Sequence, residues 1–377
     1  MDRQLPIHLN FINIMFYIFI MSKSKLTLII DGNWLLMSRL PVIHSRYIDE
    51  KTMMKEVKLL MIKSINNVLR TFTDIDNIIF VSDGGSWRQH IRVPQFIIDR
   101  KKGDVAVYKG NRERADDIDW DLVFSEFNNF TNELKDTGIS VFNEAGIEGD
   151  DWCWYWSTKL NNNGTNVIIW TTDRDITQLC SSNANGNFTV VWNKKKGVYV
   201  KNTTETDLTS FLLNPYYHTN ESILRNIMNS SIQTNVINPD AIRIDKIIRG
   251  DAGDNVLPIM TRSSKNGNIK YKVTEKQLPA VLDIYSSNDI SSWVNETLSS
   301  KQWAGKCNEQ YNEIIEHFDY NRQMVVLAEP SYPEYILNIF HKYDNWFDDH
   351  SICTDINKAE ATILAERENL TNILDEI

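Results

Sequence analysis

A short apolar run ending in an acid recurs along this chain, with helical patterns between the runs. Asp31 closes KLTLIID and Asp83 closes NIIFVSD, while Glu148, Asp150 and Asp151 form EGDD shortly after ISVF. Asp173 and Asp175 form DRD after NVIIWTT, and Asp251 and Asp254 lie in RGDAGDN. Apolar, β-rich runs at about 26–31, 78–83, 139–143, 167–172 and 188–192, then VYV at 198–200, read as strands. Residues 53–72 and 120–135 read as helices. This alternation predicts an α/β fold, a mostly parallel sheet covered by helices on both faces. Acids at the ends of its strands then share one edge, where open sheets place their sites. FTVVW and VYV, joined by NKKKG, predict a terminal hairpin with Gly197 near the turn.

Nine carboxylates in one crevice would repel one another and shift each other's pKa values unless cations offset them. With no Cys or His among them, the expected partners are hard, oxygen-seeking ions such as Mg²⁺ or Mn²⁺. Taken singly, an Asp after a strand is more often a helix N-cap than a ligand. DGN and SDGG are also ordinary turn sequences. Caps alone, however, do not require doubled acids at several ordered places.

The composition is that of an ordinary globular protein, with 42% hydrophobic and 24% charged residues over 377. Its net charge of −10 first argues against a nucleic-acid partner, but discounting the nine clustered acids leaves −1. From Ser86 to Arg114 there are eight Lys/Arg against three Asp/Glu, a basic stripe in an acidic chain. Cys153, Cys180, Cys307 and Cys353 show no paired spacing and read as reduced thiols of a cytoplasmic protein. The apolar run Phe11–Met21 is too short to span a bilayer, so no membrane partner is expected. Asp2 and the lack of a small-residue cleavage site argue against a signal peptide, and Met21 is the preferred start, making the first twenty residues a spurious extension; the alternative is a real membrane-attached segment.

Residues 202–238, rich in Ser, Thr and Asn with a weak helical pattern near 221–229, read as a linker or surface insertion. From Pro239 the pattern turns helical, apart from a polar, basic loop at Thr261–Lys272. Trp152, Tyr155 and Trp156 have i, i+3, i+4 spacing, and core packing is the favoured reading over base stacking.

LIIDGN, FVSD, EGDD, TTDRDITQL and RGDAGDNV, in this order, resemble the 5′ nuclease superfamily of flap endonucleases and 5′–3′ exonucleases, and YKGNR at 108–112 matches its segment between the second and third acid groups. The likeness is nearest to the T-even bacteriophage branch, whose members are called RNase H, and extends to YNRQMVVLAEPSYPEYILNIFHKY and LTNILDEI. It implies a PIN-like nuclease domain at 25–238, following the extension 1–24, with a basic helical arch at 84–118 and the insertion at 202–238. A helical, helix-hairpin-type DNA-binding domain is expected at 239–377.

The resemblance also implies two Mg²⁺ ions, for which Mn²⁺ can substitute. Asp31, Asp83, Glu148 and Asp150 would surround the first; Asp173, Asp175 and Asp254 would hold the second, with Asp151 bridging or ordering water. Asp251 is either a further ligand or part of the turn after Gly250. Arg88, Lys109 and Arg112 would steer the scissile phosphate. Where the family carries a glycine-rich GVxGIG hairpin and often a potassium ion, this chain reads VLPIMTRSSKNGN, leaving duplex contact to Arg262, Lys265, Lys270 and Lys272 or making this a solvated loop.

The implied enzyme is a monomeric, phage-encoded 5′ nuclease in the host cytoplasm. It would remove RNA primers or 5′ flaps from branched DNA and RNA/DNA duplex by two-metal hydrolysis, with a single-stranded-DNA-binding protein and a sliding clamp as partners. The alternatives are a PIN-type ribonuclease acting on single-stranded RNA and a non-catalytic fork-binding protein.

Overall fold

The computed structural model describes residues 25–45, 49–71, 75–101, 107–136, 139–183, 187–201, 234–274, 276–287 and 290–349. Its main sheet runs β3 (Ser140–Phe142), β2 (Asn77–Val81), β1 (Leu26–Asp31), β4 (Asn166–Trp170), β6 (Phe188–Asn193), β7 (Gly197–Lys201) and β8 (Thr234–Ile237), with the two-residue β5 (Ser181–Ser182) beside β6. β3, β2, β1, β4 and β6 are parallel, and β7 turns back antiparallel to β6. Alternate side chains serve opposite faces. Leu28, Ile30 and Phe80 enter a core shared with α1 (Gly32–His44), α2 (Glu50–Thr71) and α4 (Trp120–Asp136). Ile29, Ile79 and Val81 enter a second core with α5 (Gly149–Asn162). Burial on both faces explains why these strands read as unbroken apolar runs.

Trp152, Tyr155 and Trp156 lie inside the second core, as expected of core packing, and the C-terminal Phe340, Tyr343, Trp346 and Phe347 close over them. A third core joins α6 (Pro239–Arg249), α7 (Ser291–Ser299) and α8 (Tyr311–Val325) to Ile97 of α3 (Gln95–Arg100) and to Tyr108. The stem of the basic stripe therefore rests on the C-terminal helices. The central part of the expected arch, 102–106, lies outside the described residues, as do the apolar N-terminal run, Cys353, most of the 202–238 insertion and the LTNILDEI terminus.

Two local expectations need correction. The end of the 202–238 insertion is not loop: β8 adds to the sheet parallel to β7, and Asn235 Nδ2 donates to the Lys196 carbonyl at 2.8 Å. The polar Thr261–Lys272 stretch contains the hairpin β9 (Thr261–Ser264) and β10 (Gly267–Lys270). Gly267, at φ +101, supplies the left-handed residue its tight turn requires. Two-stranded pairing needs no apolar run when its base is anchored, here by Arg262 and Thr261 bonding with the 307–309 segment. Among the described residues, no helix is long and apolar enough to cross a membrane.

Candidate metal centre

The first acid group gathers where β1 and β2 end and α5 begins. Asp31 caps α1: its Oδ1 accepts from the Trp34 amide at 2.9 Å and its Oδ2 from Thr171 Oγ1 at 2.9 Å. The cap reading and the site reading thus hold together at this residue. Asp83 accepts from the Gly149 amide at 2.7 Å and from Asn33 Nδ2 at 3.0 Å. A Cβ on Gly149 would lie 3.2 Å from Asp83 Oδ1, so a side chain there would crowd the acid. Glu148 is the N-cap of α5, and Asp150 follows in its first turn. Asp150 accepts no hydrogen bond from the described residues.

These acids press on one another. Burial, then the charges of Asp83 and Asp173, push Asp31 up to about 7. Burial and the neighbouring Asp173 hold Asp150 well above the usual carboxylate range, and burial also raises Asp83. Asp173, expected in the second group, therefore stands between the two, acting on Asp31 and Asp150 as well as on Asp175.

The second group is Asp175, Asp251 and Asp254, each offering an oxygen, all within 4.8 Å of one another. Asp251 belongs to this group because the helix ahead of it stops at Gly250. That residue has φ +67, and a Cβ there would fall 2.3 Å from the Val256 carbonyl oxygen. The tight turn brings Asp251 back into an antiparallel bridge with Val256. Burial pushes Asp175 up to about 6 despite a neighbouring lysine. Three converging carboxylates, together with an Asp150 to which no described residue donates, fit hard divalent cations. The centre is able to hold metal.

Two of the expected basic residues reach this centre. The Lys109 ammonium pairs with Glu148, and Arg112 donates to Asp254 at 2.6 Å. Arg88 does not face the crevice, correcting the expectation that it steers phosphate. Only 2% exposed, it donates to Glu148 at 2.7 Å and to Asp151 at 3.2 Å, and its Nε donates to the Gln323 carbonyl. Asp151 is likewise corrected from a water-ordering or bridging ligand. It is fully buried and accepts from Trp87 Nε1 at 3.0 Å and Tyr332 Oη at 3.0 Å besides Arg88, so its oxygens are taken by protein donors.

Lys265, Lys270 and Lys272 are exposed on or beside the β9–β10 hairpin. Arg262 instead lies at its base, its guanidinium 5.7 Å from the Trp303 ring centre. Sequence reasoning missed Lys246, which bonds Asp175 and Asp251, and Tyr108, whose hydroxyl donates to Asp254 at 2.9 Å. Tyr108 lies inside the YKGNR motif and was within reach of the reading. Lys246 is one polar residue on an amphipathic helix, and no motif singles it out.

A parallel sheet whose strand ends collect acids beside a lysine and an arginine is an arrangement on which a nuclease can be built. Residues 26–209 match the family described as 5'-3' exonuclease, N-terminal resolvase-like domain. Those residues, just under half of the chain, carry the N-terminal domain of a 5′–3′ exonuclease. No curated protein sequence matches this chain. Among solved structures, the bacteriophage T5 D15 protein crystallised with metal ions is similar at 18% identity and TM-score 0.46, over 90% of this chain and 98% of that one. The T5 D15 flap endonuclease in a pseudo-enzyme-product complex with DNA and metal ions stands at 16% and 0.46, over 91% and 100%. The catalytic core of Rad2 with DNA substrate stands at 12% and 0.35, over 95% and 92%.

Proposed function

We propose that this chain is a metal-dependent 5′–3′ exonuclease and flap endonuclease that removes RNA primers or 5′ flaps from branched DNA during replication. The observation that carries the reading is the convergence of two acid groups on one sheet edge, with Lys109 and Arg112 beside them. Asp31, Asp83, Glu148 and Asp150 would hold one Mg²⁺. Asp175, Asp251 and Asp254 would hold the other, with Asp173 between the groups. Bound ions there would supply Lewis acidity toward the phosphodiester and a water made acidic enough to attack it. Lys109 and Arg112 neutralise phosphate charge as the substrate enters. The hairpin lysines Lys265, Lys270 and Lys272 would meet the duplex, the helical part from 239 onward serving as a DNA-binding unit to the nuclease unit before it.

The test is cleavage of a 5′-flap duplex by the purified protein with Mg²⁺, expected to release the flap. The double substitution Asp173→Asn/Asp175→Asn should abolish cleavage, and undiminished activity would sink the assignment. Equal cutting of unstructured RNA would favour the single-stranded ribonuclease. Tight fork binding without cleavage under any divalent ion would favour a binding protein.

A further inference from the structure

Lys246 lies in the last turn of α6 with its ammonium 2.5 Å from Asp175 and 2.5 Å from Asp251, two of the three carboxylates of the second group. The third, Asp254, is held by Arg112 and Tyr108. The group is therefore already partly neutralised from within, and its central cation belongs to the chain. The helix end favours a cation at this spot, because the unsatisfied carbonyls of a last turn carry partial negative charge. The lysine side chain is only 15% exposed, so these pairs are screened less than surface pairs.

We propose that Lys246 is a resident competitor for the second metal position: it holds Asp175 and Asp251 together in the metal-free enzyme and must move aside before a divalent ion can take both carboxylates. Metal ligands have to be released from other partners before they bind, so these ion pairs lower the affinity of the second position. The inference rests on the metal-centre reading above. It assigns Lys246 a positioning role, setting the affinity of one of the two ions.

Titrating Mn²⁺ into the metal-free protein, followed by electron paramagnetic resonance of the free ion and by calorimetry, reads this without any turnover. The unaltered protein should show two unequal classes of site. Lys246→Met should tighten the weaker class by about tenfold or more and leave the stronger class unchanged. Lys246→Arg, which keeps the charge, should leave the weaker class weak. The Tm of metal-free Lys246→Met should fall, because Asp175 and Asp251 then face each other without a counter-ion, and Mn²⁺ should restore it. Circular dichroism of both variants controls for folding, and Lys246→Arg carries the test if Lys246→Met does not fold: weak-class binding tightened by Lys246→Arg overturns the proposal. A weaker class that is unchanged or loosened in Lys246→Met also overturns it, since Lys246 would then only support the ligands. If the unaltered protein binds no Mn²⁺ at all, the metal-centre reading falls and takes this proposal with it.

Discussion

The Lys109 amide donates to the Asp254 carbonyl oxygen at 3.0 Å while the same residue's ammonium pairs with Glu148. One residue thus ties the first acid group to the second. It does so from a left-handed backbone, φ 56, which a non-glycine residue adopts only when its surroundings hold it there. The flanking contacts are the Asn111 Nδ2 bond to the Ala252 carbonyl, Tyr108 to Asp254 and Asn255 Nδ2 to the Val107 carbonyl. The stem of the basic stripe is therefore clamped onto the turn that carries the second group.

Lys109→Ala leaves the backbone clamp in place and leaves Arg88 beside Glu148 to neutralise it, so folding should persist. Cleavage of a 5′-flap duplex should drop by about 10²–10³, the scale for losing one preorganised electrostatic contact to a reacting group. A Tm close to that of the unaltered protein with a collapsed kcat is the expected pair of readings. Retained kcat would remove Lys109 from the reacting centre.

Arg88 should behave oppositely. It is a buried cation between Glu148 and Asp151, and both carboxylates hold it strongly in its charged form despite burial. Removing one partner of a buried ion cluster leaves uncompensated charge, a loss of about 3–5 kcal/mol. Arg88→Met should therefore lower unfolding free energy in urea by about that amount, and adding substrate or salt should not rescue it. A loss below about 1 kcal/mol would mean that the cluster relaxes into contact with water.

The strands, the helices over 50–71 and 120–136 and the sheet edge were legible because burial on both faces leaves a long apolar signature. The acids up to Asp175 were legible because they follow those runs, and Asp251 and Asp254 because they are doubled in RGDAGDN after a helix. What was not legible depends on direction rather than on residue type. Arg88 and Lys109 lie in the same basic stripe, yet one turns under α5 beside Trp87 and the other reaches the crevice. Asp150 and Asp151 are neighbours on one helix, and a rotation of about 100° sends the first toward the crevice and the second into the core. β8 escaped notice because TNVI is a short edge strand, exposed at Val236, without the doubly buried signature of the others.

The metal-free protein should lose stability as pH rises. Burial and neighbouring acids raise Asp31 to about 7 and Asp175 to about 6, so in the folded state both keep a proton that the unfolded chain has released. Stability is then full below the unfolded pKa of about 3.8 and declines through about 7, by at most about 1.4 kcal/mol per pH unit for each group. Asp31→Asn should flatten part of this decline, its curve meeting that of the unaltered protein at low pH. Because metal ligands must be deprotonated, Mg²⁺ should raise Tm more at about pH 7.5 than at about pH 5. Thermal unfolding with and without Mg²⁺ at both pH values checks this. An equal shift at both would contradict it.

His317 should act in the opposite direction, far from the acids. Burial, reinforced by the Arg100 guanidinium 3.2 Å from its Nδ1, pushes its imidazole down to about 3. As pH falls below about 6.5 the unfolded chain takes up a proton that the folded chain refuses, so stability is present above that value and is lost as pH falls toward about 3. His317→Gln keeps an acceptor for Arg100 and cannot titrate. Comparing the two proteins cancels every other acid-sensitive group. Between about pH 6.5 and pH 4.5 the unaltered protein should lose ~2 kcal/mol more unfolding free energy in urea than His317→Gln. Parallel curves across that window would show that the imidazole accepts its proton in place, and the third core would then have to open to water around Phe96 and Tyr320, whose rings lie 5.6 and 6.5 Å from it.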